Sequence, residues 1–121
     1  MTGEKLTVRL KIELPDGVRL GYGKVDLLRA VDAHHSISAA ARSMGMSYRR
    51  AWLLIDELNR SFADPVIETS IGGRGHGGAT LTATGMRVIE LYEAACTKAR
   101  AALDGELCEL AGLLGPDMPN N

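Results

Sequence analysis

At 121 residues, 45% of them hydrophobic and 24% charged, the chain has the size and composition of one soluble globular domain. No apolar run approaches the roughly 18 residues of a membrane span, and MTGEKLTVRL at the start lacks the apolar core of an export signal; a cytoplasmic protein with no membrane partner is expected. The net charge of −1 does not advertise a nucleic-acid partner, so any such reading depends on where the charges lie.

The first ten-residue segment with a clear period is 5–14, KLTVRLKIEL, in which Leu6, Val8, Leu10, Ile12 and Leu14 alternate with polar residues. A period of two predicts a strand with one buried face. Pro15-Asp16-Gly17 is a turn signal, and Val18 and Leu20 predict a short second extended piece. From about Tyr22 to His34 the spacing becomes helical: Val25, Leu28 and Val31 recur three apart, with Leu27 and Ala30 beside them. A second helix starts near Ser36 as N-cap and ends at Gly45. A third starts with Ser47 as N-cap; Ala51, Trp52, Ile55, Leu58 and Phe62 are expected on its core face, and Arg49, Arg50, Asp56 and Arg60 on the others.

After Asp64-Pro65, Val66–Thr69 and Ala79–Leu81 are short strand candidates joined by a loop holding five glycines in residues 72–78. The pattern predicts a β-hairpin placed directly after a helix-turn-helix, where it is a wing. Thr82 then caps a long helix from about Ala83 to Leu103. Twenty-one residues span roughly 32 Å, more than a small domain covers. Its apolar stripe is therefore expected to meet a second subunit through Val88, Ile89, Tyr92, Ala95, Cys96, Ala99 and Leu103, with Leu107, Leu110, Leu113 and Leu114 continuing it after Gly105. Aromatic residues are scarce, so the core is expected to be aliphatic.

The segment SISAAARSMGMSYRRAW, Ser36 to Trp52, carries the chemistry. Ala40, Ala41 and Gly45 are small where two helices must approach. The second of these helices opens with a hydroxyl, a phenol and two guanidinium groups. From Ala33 to Ile55 there is no acid, while Arg42, Arg49 and Arg50 are basic; beyond Arg100 there is no base, while Asp104, Glu106, Glu109 and Asp117 are acidic. A helix start of this kind suits a DNA major groove, where one arginine can reach a guanine edge and another a phosphate. Tyr48 is read as a contact to a thymine methyl, sugar or phosphate, or else as packing under the second helix. Ser38 and Ser47 are read as caps that can also touch phosphate, Arg42 as a backbone contact at the groove edge, and Arg74 and His76 as the wing tip.

Other chemistries find little support. The glycine-rich loop lacks the GK[ST] ending of a phosphate-binding loop and the following helix of a dinucleotide fingerprint. His34 and His35 sit at a helix end, where the dipole favours them, with no ligand partner at helical spacing. Cys96 and Cys108 read as small apolar residues. No nucleophile–base set stands out, so neither an enzyme, a metal site nor a cofactor is expected.

Two motifs together resemble a known family. Gly45 to Trp52 matches G-[IM]-S-Y-[KR]-x-A-W, and the glycine-rich wing is followed by L-T-x-x-G, Leu81 to Gly85. Over roughly residues 5–103 the chain is similar to the N-terminal domain of the ModE-type molybdate-responsive transcription regulators, and its helix-turn-helix to that of LysR-type regulators. The resemblance implies a homodimer paired through the long helix, bound to an inverted-repeat operator in double-stranded DNA, and a link to molybdate transport or molybdenum metabolism. It also implies that Ser47, Tyr48, Arg49 and Arg50 begin the recognition helix. About 18 residues follow the long helix, too few for the family's molybdate-binding region, so regulation without its own sensing domain, or with a full-length or molybdate-sensing partner, is expected.

The expectation is therefore a mainly α fold with a small β part: a winged helix-turn-helix with an N-terminal strand and a long C-terminal dimerisation helix. Residues 1–105 would form the DNA-binding domain and 106–121 a short helical extension and tail. The alternative is a protein-interaction module that pairs through its long helix with a full-length regulator.

Overall fold

The computed structural model describes residues 6–71 and 77–115. Its elements run β1 (Lys11–Glu13), a 3-10 turn (Pro15–Gly17), β2 (Arg19–Gly21), α1 (Tyr22–His34), α2 (Ile37–Ser43), α3 (Tyr48–Ser61), β3 (Ile67–Ile71), β4 (Gly77–Leu81), α4 (Ala83–Ala102) and α5 (Asp104–Leu113). Two antiparallel pairs, β1 with β2 and β3 with β4, flank a helical core. This is a winged helix-turn-helix.

The N-terminal strand is much shorter than its periodicity suggests. Only Lys11–Glu13 pair, with Lys11 opposite Gly21 and Glu13 opposite Arg19, and all three are exposed. The reason is the length of the partner: β2 is three residues long and runs straight into α1, so nothing is left to pair with residues 6–10. That segment lies instead along α4. The Tyr92 hydroxyl donates to the Leu10 carbonyl at 2.7 Å, and the Arg100 guanidinium donates to the Leu6 carbonyl at 3.0 Å. The buried face of the hairpin is supplied by Val18 and Leu20.

Helix α1 is the centre of the fold. Val25, Leu27, Leu28 and Val31 are fully buried on it, and α2, α3, α4 and β4 all pack against it. The α2–α3 corner is tight because its contact residues are small: Ala40, Ala41 and Ala51 are buried with essentially no exposed surface. Both helices start on side-chain caps, Ser36 Oγ accepting from the Ala39 N–H and Ser47 Oγ from the Arg50 N–H, each at 3.1 Å. Gly45 has φ +68°, and the turn closes as the Met46 N–H donates to the Ala41 carbonyl at 3.0 Å. The left-handed backbone there is what the glycine supplies.

Helix α4 divides its apolar residues between two destinations. Val88, Ile89 and Tyr92, expected on an intersubunit stripe, are buried in the chain's own core. The correction follows from α1 and the N-terminal segment, which cover that face. Ala95, Cys96 and Ala99 are half-buried and Leu103 is exposed. The outward apolar surface is Met86, Leu91 and Leu103, continued on α5 by Leu110 and Leu113, the last 82% exposed. The long helix breaks at Leu103, and α5 restarts at Asp104, so Gly105 lies inside the second helix rather than before it.

Tyr92 supplies a test of this packing. Burial first, and then the neighbouring Cys96, push its phenol pKa above the ordinary 10.0. The folded chain thus keeps this proton where the unfolded chain has released it. Its contribution is intact below about pH 10 and is lost as pH rises through the raised value. Tyr92→Phe is expected to cost about 0.5–1.5 kcal/mol near neutral pH, the worth of the lost hydrogen bond. The stability gap between wild type and variant in denaturant titrations should hold up to about pH 10 and narrow over the range above it. A gap that stays constant over this range would contradict the assignment.

Candidate nucleic-acid interface

The second helix of the corner presents its first turn outward. Ser47, Tyr48, Arg49 and Arg50 are all exposed, and Tyr48, at 55%, is not packed under α2. Ser38 is not a cap: Ser36 holds that role, and Ser38 lies in the first turn of α2, where its Oγ accepts from the Arg42 guanidinium at 3.2 Å. Arg42 is thereby held along the exposed face of α2.

Trp52 does not belong to the core face. At about 100° per residue, Ala51, Ile55 and Leu58 cluster on one side of α3, and these three are buried. Trp52 points well outside that sector and is 44% exposed. Four residues after Tyr48, it lies on the same flank as the phenol. Together they line a groove of about 350 Å³ whose other walls are Ser36, Ile37 and Ser38 at the start of α2 and Thr69, Ser70, Gly78 and Ala79 of the wing strands. Trp52 is thus off the core face expected for it, because a rotation of about 100° per residue separates it from Ala51.

The wing is fixed against α3 and α4 by a small set of hydrogen bonds on residues 65–67. Asn59, on the last turns of α3, accepts from the Val66 N–H at 2.8 Å and the Ile67 N–H at 3.2 Å, and donates to the Ile67 carbonyl at 3.1 Å. Thr82 caps α4 by accepting from the Gly85 N–H, while its hydroxyl donates to the Pro65 carbonyl at 2.7 Å and its own N–H donates to the Val66 carbonyl at 3.0 Å. At Gly85 a Cβ would collide with that same Val66 oxygen. The T-x-x-G spacing is therefore a cap followed by a close backbone approach. A further bond, from the Ala79 N–H to the His35 carbonyl at 3.0 Å, ties β4 to the end of α1. The wing tip itself, with Arg74 and His76, lies outside the described residues.

The electrostatics of this face are one-sided. The carboxylates on α3 are engaged: Asp56 pairs with Arg60 and Glu57 with Lys24, each at 2.8 Å. Among the described residues no carboxylate lines the groove, and no group of His, Cys, Asp or Glu is arranged to hold a metal. No helix among them is long and apolar enough to cross a membrane. The arrangement can accept an extended anion along Arg42, Arg49 and Arg50 and seat an apolar edge between Tyr48 and Trp52.

Residues 23–86, from the first turn of α1 to the first turn of α4, match the model for bacterial regulatory helix-turn-helix proteins of the lysR family. The chain belongs to that family. It is 36% identical over 108 residues to the molybdenum-pterin-binding protein MopA of Rhodobacter capsulatus, covering 87% of this chain and 41% of that protein. It is 33% identical over 104 residues to the molybdenum transport protein ModE of Azotobacter vinelandii, covering 86% and 38%. Against the DNA-binding transcriptional dual regulator ModE of Escherichia coli K12 it is 40% identical over 70 residues, covering 58% and 27%. The chain thus spans about two fifths or less of the length of these relatives. The solved structure of a CbnR_DBD–DNA complex has the same fold, with a TM-score of 0.56 at 20% identity, covering 77% of this chain and 99% of that one.

Sequence reasoning missed Asn59, Thr69, Ser70 and the outward placement of Trp52. Asn59 carried a weak signal, since an amide in the last turns of a helix just before a Pro-led strand can reach the strand's backbone. In this lysR-family chain, Asn59→Ala is expected to leave the Val66 and Ile67 amides short of an acceptor and to cost about 1–3 kcal/mol, measured by thermal or denaturant unfolding. Asn59→Asp, which keeps the acceptor and loses one donor, should fall between the two. Equal stability of all three would show that the wing is held by other contacts.

Proposed function

We propose that this chain is a sequence-specific DNA-binding transcription regulator that acts as a homodimer on an inverted repeat linked to molybdate transport or molybdenum metabolism. The observation that carries the reading is the first turn of α3: exposed, free of acids, bearing Arg49 and Arg50, and held beside a wing in a lysR-family fold. Helix α3 enters a major groove, and the wing strands lie over the adjacent backbone. Ser47, Tyr48, Arg49 and Arg50 meet base edges and phosphates, and Arg42 and Ser38 meet the backbone at the groove edge; Arg74 and His76 are further proposed contacts that lie outside the described residues. The molybdenum link is supported by the names of the relatives.

The dimer forms through the outward surface of α4, where Leu91 and Leu103 are exposed and Ala95 and Ala99 half-buried, with Cys96 behind them against the core, and it extends onto α5. The same exposed leucines support a second reading, a module that pairs with a longer regulator through these helices.

Fluorescence anisotropy against an inverted-repeat duplex from a molybdate-transport promoter and a scrambled duplex, over a salt series with and without molybdate, separates these readings. Tight binding to the first duplex only, weakening steeply with salt, is expected. Arg49→Ala and Arg50→Ala should each weaken it by about 1–3 kcal/mol if they meet a base, or reduce the salt slope by about one if they meet a phosphate. Unchanged affinity and unchanged slope in both variants would remove this face from the interface. Equal weak binding to both duplexes, together with a heterodimer on co-purification, would favour the second reading.

A further inference from the structure

Trp52 is the single tryptophan of a chain with few aromatic residues, and it lies outside the buried core cluster. The core side of α3 is closed by Ala51, Ile55 and Leu58, while the indole stands 44% exposed in the groove between α3 and the wing. The uncovered part of so large an apolar side chain contributes no hydrophobic stabilisation in the free protein. It recovers that stabilisation when a partner covers it.

The geometry limits what that partner offers. Trp52 and Tyr48 form one aromatic wall, four residues apart on α3. Facing it are Thr69 and Ser70 of β3 and the backbone of Gly78 on β4. Gly78 matters here because a Cβ at that position would crowd the Ser70 hydroxyl at 3.2 Å. The groove floor is apolar, made by the buried Ile37 and Ala79. Arg49 lies between Trp52 and the exposed Leu53 on the helix surface, so a charged contact and an apolar one are offered side by side. In the major groove only thymine presents an apolar group, its 5-methyl, next to a carbonyl acceptor at O4. Guanidinium groups find guanine edges or phosphates and gain nothing from a methyl. An indole supplies both an apolar face and one N–H donor.

We propose that Trp52, backed by Tyr48, is a specificity-determining residue that seats the 5-methyl edge of a thymine in the groove between α3 and the wing. The inference rests on the reading that α3 docks into duplex DNA. It assigns base discrimination at one position per half-site to an aromatic contact, leaving phosphate binding to the arginines.

The test uses the intact chain and a duplex selected by it from a random library, with a scrambled duplex as control. Because Trp52 is the sole tryptophan, its emission reports the groove directly. Saturation with the selected duplex should shift the emission and protect the indole from acrylamide quenching. Replacing thymines one at a time by deoxyuracil removes a methyl and nothing else. One position per half-site should lose roughly fourfold in affinity, the worth of one buried methyl. Trp52→Ala should bind the selected duplex more weakly and be indifferent to uracil at that position, while keeping its affinity for the scrambled duplex.

Unshielded emission with the duplex bound, as anisotropy establishes, would overturn the proposal without needing a variant. Shielding with no sensitive thymine would overturn the methyl contact and point to the sugar–phosphate backbone. If Arg49→Ala weakens binding but Trp52→Ala does not, the aromatic assignment fails and the docking reading survives. If the wild-type chain retains no duplex from the library, the docking reading itself fails.

Discussion

The backbone of residues 65–67 is where this structure is decided. Three elements grip it from different sides. Asn59 takes two amides and a carbonyl, Thr82 takes the carbonyls of Pro65 and Val66, and Gly85 leaves room for the Val66 oxygen. A buried backbone group without a partner is costly, on the order of 1–3 kcal/mol, so the satisfied arrangement is strongly preferred over any in which the strand shifts. The consequence is geometric: the end of α3, the start of β3 and the start of α4 share one origin. The wing therefore stands at a set distance from α3, and the groove between them has a set width.

That rigidity matters because the two sides of the groove come from distant parts of the chain. Tyr48 and Trp52 face wing strands that come well after them in the chain, at Thr69, Ser70, Gly78 and Ala79, and the cap of α2 borders the same space. The bond from Ala79 to the His35 carbonyl holds the second wing strand to the α1–α2 junction. A surface that recognises a partner by shape gains from such preorganisation, since each contact ordered only on binding costs conformational entropy. Charge is arranged on the same principle. The acids of α3 are neutralised by Arg60 and Lys24, so the positive field of Arg49 and Arg50 is not diluted by unpaired carboxylates on their own helix.

Helix α4 joins this face to the rest of the molecule. Its first turn belongs to the grip on the wing. Its middle turns bury Val88, Ile89 and Tyr92 against α1 and the N-terminal segment, and its outer surface carries leucines that the chain does not cover. Arg29 on α1 bonds both Asp26 and Glu93, linking the two helices across their exposed edge. Burial alone would lower its pKa, but these two carboxylates prevail and raise it. One continuous helix thus runs from the grip on the wing to the uncovered outer surface.

Much of this was legible in the chain itself, for definite reasons. Helix boundaries at Ser36, Gly45, Ser47 and Thr82 were readable because capping is local: a hydroxyl reaches the amide three residues on whatever the tertiary context, and only glycine enters the left-handed turn at low cost. The wing was readable from two β-prone runs around a glycine-rich loop. The basic first turn of α3 was readable because charge is written in the residues. What tertiary structure alone decided was which apolar side chain faces inward where neighbours compete. Trp52 turned out to the groove because Ala51, Ile55 and Leu58 fill the core side. Val88, Ile89 and Tyr92 turned inward because α1 and residues 6–10 cover them. The N-terminal strand shrank because its partner has three residues. Such outcomes depend on the length and position of segments far away in sequence, and a side-chain pattern, being local, carries no record of them.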